Sequence, residues 1–168
     1  MATYMVLDTN VVYLLLGSNL GDRDLLIEEA IVNINKKIGL INLRSSFYET
    51  EAWGKADQPA FLNLALAVET KLTALEVLAN ALEIEKELGR VRLEKWGERL
   101  IDIDLIFYND AIIDIPGKLQ IPHPQMHKRK FVMVPMAEIA GTIQHPVFKK
   151  SVDELLQGLP DKLTVLKL

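Results

Sequence analysis

A chain of 168 residues, 49% apolar and 25% charged, can bury one sizeable core and is short for two, so residues 1–168 are expected to form a single domain. A net charge of −4 argues against a general nucleic-acid binder, which needs a broad basic surface. With no cysteine there is no disulfide and no thiolate metal site, which fits a reducing cytoplasm, and the longest apolar run, residues 11–16, is too short to span a membrane.

Residues 1–10 lack the basic start of a signal peptide and read as a loose leader. The run at 11–16, with its β-branched members, predicts a buried strand. It stops at Gly17-Ser18-Asn19-Leu20-Gly21-Asp22, which is either a tight turn or an anion cradle and carries no Walker or dinucleotide fingerprint. Ile27, Ala30, Ile31, Ile34 and Ile38 recur at helical spacing, capped by Asp22 or Asp24 and closed by Gly39. Residues 40–50 suggest a second strand, with Ile41, Leu43 and Phe47 alternating in part. Residues 51–59 hold Gly and Pro without a period and read as loop, where Trp53 either anchors the packing or stacks on a flat ligand.

Residues 61–69 predict a strand with Leu62, Leu64, Leu66 and Val68 on one face and Phe61, Asn63, Ala65 and Ala67 on the other. The amide of Asn63 is either satisfied beneath a packed helix or reads the edge of a heterocycle. Thr73-Ala74-Leu75-Glu76 is a capping box that opens a helix. Leu75, Leu78 and Leu82 form its expected buried stripe, continued by Glu85, a carboxylate that wants a cation or a ligand donor. Gly89 closes that helix and leads into Arg90-Val91-Arg92.

The stretch at 95–106, Lys-Trp-Gly-Glu-Arg-Leu-Ile-Asp-Ile-Asp-Leu-Ile, carries the most chemistry. Its second half predicts a strand with Ile101, Ile103, Leu105 and Phe107 on one face and Leu100, Asp102, Asp104, Ile106 and Tyr108 on the other. Both carboxylates then point one way, their Cα atoms about 7 Å apart. Like charges so placed repel, and a divalent cation between them removes the conflict. So sparse a set of oxygen ligands suits Mg²⁺, which keeps waters and recruits substrate phosphates. Asp-x-Asp alone also occurs on edge strands with solvated aspartates; the apolar flanks and the nearby Arg90, Arg92, Lys95 and Arg99 point to function.

Asn109-Asp110 is a turn, after which 111–115 is expected to return antiparallel. Pro116-Gly117 turns again, and 119–124 is extended, holding His123 between two prolines, either as a surface residue or against phosphate or ribose. Lys128-Arg129-Lys130 is a solvated run or a second arm on phosphates. Val132, Pro135, Met136 and Ile139 predict a short helix ending at Gly141, Ser151 and Glu154 form a capping box for another ending at Gly158, and Leu163, Val165 and Leu168 suggest a last strand. The order βαββαβ is that of an α+β ferredoxin-like sandwich, a mainly antiparallel sheet flanked by helices, here with a C-terminal extension.

The stretch at 95–106 resembles the signature of the hydroxymethyl-dihydropterin pyrophosphokinases of folate biosynthesis. Collinear with it are Leu16-Gly17-Ser18-Asn19-Leu20-Gly21, Ser46-Phe47-Tyr48-Glu49-Thr50, Gln58-Pro59-Ala60-Phe61-Leu62-Asn63, Gly89-Arg90-Val91-Arg92, and Ile121-Pro122-His123-Pro124 with Arg129 and Phe131. The resemblance implies the ferredoxin-like fold and a monomeric, ATP-dependent diphosphokinase that moves pyrophosphate from ATP to the hydroxymethyl oxygen of the pterin, leaving AMP. Its partners would be those two small molecules, with no nucleic acid and no membrane. Carried onto this chain, Asp102 and Asp104 would hold two Mg²⁺ ions, and Arg90 and Arg99 would act on the transferring group. Arg92, Trp96, His123 and Arg129 would contact ATP, and Glu85 its nucleoside end. Thr50, Trp53, Phe61, Asn63 and Phe131 would line the pterin slot. Glu51, Phe61, Leu82, Lys118 and Gln120 depart from residues common in the family.

Two other readings compete. A Mg²⁺-dependent nucleotidyltransferase also pairs Gly-Ser with Asp-x-Asp, but close in sequence, whereas Ser18 and Asp102 lie 84 positions apart. A non-catalytic ferredoxin-like ligand-binding module has no use for aligned carboxylates facing arginines.

Overall fold

The structure, a computed structural model, describes residues 9–51, 59–89, 100–160 and 162–168. In chain order the elements are β1 (Asn10–Ser18), α1 (Arg23–Lys37), β2 (Leu40–Arg44), β3 (Tyr48–Thr50), β4 (Phe61–Thr70), α2 (Ala74–Glu87) and β5 (Asp102–Tyr108). A hairpin of β6 (Ile113–Ile115) and β7 (Leu119–Ile121) follows, then a 3-10 turn (Met126–Lys128), α3 (Lys130–Ala140), α4 (Val152–Gln157) and β8 (Val165–Lys167).

The main sheet runs β5-β1-β4-β3-β8, and β2 also pairs with β4. Its neighbours are antiparallel throughout. β2 lies against Leu66–Glu69 and β3 against Phe61–Asn63, so the two form one interrupted strand, and the order is that of the ferredoxin-like sandwich. The expected strand at 40–50 breaks at Ser45 because its side chain joins the ladder. Ser45 Oγ accepts the Ala65 N–H at 2.9 Å, and Ser45 N–H donates to Ala65 O at 2.9 Å.

One face of the sheet buries Leu14, Leu16, Leu62, Leu64, Leu66, Ile103 and Leu105 against α1 and α2. The other buries Leu15, Ala65, Ile106 and Phe107 against α3 and α4. Ala65 is buried in the cluster beneath α3. α1 follows the expected period, with Asp22 accepting the Leu25 N–H at 3.2 Å as its cap. Gly39 is required by close approach rather than by its φ: a Cβ there would overlap the Glu69 carbonyl oxygen of β4. Gly39→Ala is therefore expected to destabilise the fold by about 1–3 kcal/mol, the cost of forcing backbone apart in a packed region, read as a lowered denaturation midpoint.

Further sequence expectations need correction. The buried stripe of α2 is Ala74, Val77, Ala81 and Ile84, with Glu85; Leu75 and Leu82 are 38% and 49% exposed, and Leu78 is half-buried. The smaller residues seat the helix close to the sheet, which leaves the leucine stripe turned outward. In β5 the β1 register shifts between Leu14↔Leu105 and Tyr13↔Phe107, a bulge at Ile106. It places Phe107 on the α3 face and Tyr108 on the α1–α2 face, the reverse of strict alternation. Residues 113–115 do return antiparallel, but onto β7 rather than β5. The capping box at Ser151–Glu154 forms in full, whereas Thr73 caps α2 while its own hydroxyl donates to Glu76 Oε1 at 3.1 Å.

Candidate functional site

The site grows from register. Gly17 of β1 is the Cα partner of Asp102 on one side and of Asn63 on the other, and Asn63 is in turn the partner of Tyr48. Directly opposed residues share a face, so Asp102, Gly17, Asn63 and Tyr48 form one transverse row. The next row holds Asp104, Leu15 and Ala65. Ile103 and Leu105 are buried on the α1–α2 face, and both aspartates therefore lie on the α3 face, on the last strand of the sheet. The Asp102 and Asn63 backbones stand two strand spacings apart, about 10 Å. Between them Gly17 contributes no side chain. A Cβ at Gly17 would come within 2.7 Å of Asn63 Oδ1, so the amide leans over the glycine.

Thr50 and Phe61 oppose each other one step further along the same face. Thr50 and Asn63 are each only 3% exposed, and Thr50 Oγ1 and Asn63 Nδ2 have no hydrogen-bond partner among the described residues. An unsatisfied buried polar atom costs about 1–3 kcal/mol. Two of them on one face of the sheet, beside half-buried Phe61 opposite Thr50, suit a flat ligand whose edge offers hydrogen-bonding groups. Phe131 sits in the first turn of α3, with the Arg129 guanidinium 5.8 Å from its ring.

A cleft of about 390 Å³ wraps β5. Leu78 of α2, Ile115, Lys118, Gln120, His123 and Asp104 are among its walls, so Asp104 sits where the cleft meets the α3 face. His123 N–H donates to Ile106 O at 3.0 Å, which fixes the segment to β5. His123 Nδ1 accepts the Gln125 N–H at 3.1 Å, leaving the ring proton on Nε2 as a donor. Burial, and then the Arg129 charge, push its pKa down from 6.5 to about 4, so the ring is neutral at physiological pH. Between those values the unfolded chain binds the proton and the folded chain resists it, so His123 subtracts stability progressively as pH falls from 6.5 toward 4. His127 and His145, lowered chiefly by burial, act in the same sense. His123→Gln should remove one share of that slope, narrowing the fall in Tm across the window by about 3 °C or more in pH-dependent melts.

Glu85 is buried and its Oε1 accepts the Ile103 N–H at 2.7 Å, which ties α2 to β5 between the two aspartates. In the loop after β1, Asn19 Nδ2 donates to Pro59 O at 3.3 Å and Arg23 Nη1 to Ala60 O at 2.8 Å. Those bonds hold the approach to β4 and support the turn reading over the anion cradle. Of the Lys128-Arg129-Lys130 run, Arg129 stands beside His123 and Phe131. Trp53, Arg90, Arg92, Trp96 and Arg99 lie outside the described residues, as do most of 51–59 and all of 90–98. Sequence reasoning missed Gly17 as a spacer, although a glycine ending an apolar strand run was a usable signal.

Among the described residues no group of three or more His, Cys, Asp or Glu could hold a metal. Two carboxylates on one face fit a cation that completes its shell with water and phosphate oxygens, as Mg²⁺ does. The separation of Ser18 and Asp102 in sequence does not hold in space, since Gly17 pairs with Asp102. What sets the Gly-Ser pair apart from a phosphate-facing turn is that Ser18 is fully buried and its hydroxyl donates to Leu20 O at 3.5 Å.

Known proteins resemble this chain in sequence and in fold. Residues 13–141 fit the model of the 7,8-dihydro-6-hydroxymethylpterin-pyrophosphokinase (HPPK) family. The 2-amino-4-hydroxy-6-hydroxymethyldihydropteridine pyrophosphokinase of Aquifex aeolicus is 41% identical over 143 residues, covering 85% of this chain and 88% of that protein. The Bacillus subtilis protein of the same name is 36% identical over 146 residues, covering 86% and 87%. Among solved structures, Plasmodium falciparum HPPK-DHPS A437G superposes with a TM-score of 0.71 at 18% identity, over 90% of this chain and 45% of that one. That likeness shows the fold, and this chain spans less than half of the longer Plasmodium protein. The chain belongs to the 7,8-dihydro-6-hydroxymethylpterin-pyrophosphokinase family.

Proposed function

We propose that this chain transfers a pyrophosphoryl group from ATP to the hydroxymethyl oxygen of 6-hydroxymethyl-7,8-dihydropterin, giving AMP and the pterin diphosphate for folate biosynthesis. One observation carries the reading to residues: Asp102 and Asn63 flank Gly17 in one row, on the face that also carries Asp104 and Thr50. Asn63 and Thr50 hold the heterocycle by its polar edge, and Phe61 and Phe131, with Trp53, give it apolar walls. That fixes the hydroxymethyl group toward the strand bearing the carboxylates. The cleft beside β5 takes the nucleotide on His123 Nε2–H, and Arg92, Trp96 and Arg129 would also contact ATP, with Glu85 toward its nucleoside end. Asp102 and Asp104 would hold two Mg²⁺ ions, which supply charge neutralisation on the phosphate oxygens and alignment of the entering and leaving oxygens. Arg90 and Arg99 offset charge on the transferring group. In-line displacement needs positioning and charge more than a strong general base, and that suits a site built of carboxylates, arginines and an amide.

We place the chain in the cytoplasm as a monomeric single domain acting on these two small molecules. Among the described residues no helix is long and apolar enough to cross a membrane. The test is product identity. Incubation with ATP, Mg²⁺ and the pterin alcohol should yield AMP and pterin diphosphate in equal amounts, with none when the pterin is omitted. ADP or free pyrophosphate as the nucleotide-side product contradicts the proposal.

A further inference from the structure

Glu138, toward the end of α3, gathers the strand side of the molecule. Its Oε2 accepts the Ser46 N–H at 2.9 Å and the Tyr48 hydroxyl at 2.7 Å, and its Oε1 accepts the Ser46 hydroxyl at 2.8 Å. Lys167 Nζ of β8 lies 3.7 Å from Oε1. Tyr48 is 6% exposed, and burial followed by its bond to Glu138 pushes the phenol pKa up to about 12, so it stays a donor. Tyr48 is the Cα partner of Asn63 and stands two residues before Thr50, the two residues that carry the orphaned atoms.

We infer that Glu138, acting through Tyr48 and Ser46, is a positioning residue that sets the width of the pterin slot; the inference rests on the function proposed above. Phe131 and Glu138 are seven residues apart on α3, so they share a face about 10 Å apart along the axis. Tyr48 and Thr50 share a face of β3 about 7 Å apart, and Tyr48 is the Cα partner of Asn63. The carboxylate therefore pins α3 to β3 just behind the slot that the proposed function places between Phe131 on the helix and Thr50 and Asn63 on the sheet. Apolar contacts alone are non-directional and leave the spacing of helix and strand free to drift. Hydrogen bonds to one carboxylate fix it, and with it the fit of the heterocycle between helix and sheet.

Steady-state kinetics of the intact chain with ATP, Mg²⁺ and the pterin alcohol tests this, with Tm measured for each variant. Glu138→Ala should raise KM for the pterin about tenfold, with kcat and KM for ATP within about twofold of wild type. Glu138→Gln keeps an acceptor for Ser46 N–H and Tyr48 OH and should recover most of that loss. Tyr48→Phe removes one bond and should raise the pterin KM about threefold. Lys167→Ala, which touches only the exposed ion pair, should change nothing. Should Glu138→Ala fail to fold, Tyr48→Phe decides. Variants that keep the wild-type pterin KM, or in which both KM values rise together as Tm falls, overturn the inference while the function stands. A wild-type chain that forms no AMP overturns both.

Discussion

Asp102→Ala and Asp104→Ala should each lower turnover by about a hundredfold to a thousandfold or more while leaving Tm close to wild type. The fold is expected to survive because β5 is held by its other residues. Ile101, Ile103 and Leu105 pack on the α1–α2 face, and Ile106 and Phe107 pack on the α3 face. Glu85 still receives the Ile103 N–H. The activity is expected to fail because two oxygen-donor side chains are a small set for a hard cation, and losing either leaves water and phosphate to complete the shell. Steady-state assays across a Mg²⁺ titration check it. Each variant should need more Mg²⁺ for its residual activity. Equal loss with an unchanged Mg²⁺ dependence would show that the carboxylates do not hold the metal.

The second large effect is expected at the pterin end. Asn63→Ala removes a buried amide whose Nδ2 has no partner among the described residues. A pocket built to hydrogen-bond a heterocycle discriminates strongly, so kcat/KM for the pterin should fall by about 10²-fold to 10⁴-fold. Gly17→Ala should reproduce much of that loss without altering any group that bonds to ligand. Its Cβ would stand 2.7 Å from Asn63 Oδ1, and the amide must move to admit it. KM for ATP should stay near wild type in both variants. A Gly17→Ala enzyme with unchanged pterin KM would show that Asn63 does not work from its place over the glycine.

Much of this was legible in the sequence, and what was not has identifiable physical causes. Period-two alternation assigned both faces of β4 correctly, because a strand buried on both sides by different partners keeps its pleat. β5 followed the pattern through Ile106 and departed from it at Phe107 and Tyr108, since a bulge at Ile106 resets the alternation and nothing in Leu105-Ile106-Phe107-Tyr108 marks it. The stripe of α2 was misassigned because leucines were weighed above alanines. The close seat of the helix on the sheet favours Ala74, Val77 and Ala81, and Leu78 instead borders the cleft. Asp102, Asp104 and Asn63 were each picked out by residue type and face. The placement of Asn63 in one row with Asp102 was not visible, because it depends on β1 lying between β4 and β5 with Gly17 in register with both. The same register removes the weight once placed on the sequence separation of Ser18 and Asp102. The bond between Tyr48 and Glu138 escaped notice because residues 90 positions apart leave no local pattern.

Crystals of the protein grown with Mg²⁺, a non-hydrolysable ATP analogue and the pterin alcohol offer the most direct measurement. Metal density is expected against the carboxylates of both Asp102 and Asp104, with the polar edge of the pterin on Asn63 Nδ2 and Thr50 Oγ1. Nucleotide and pterin bound with the metal seated elsewhere, or with the pterin turned away from Asn63, would contradict the account.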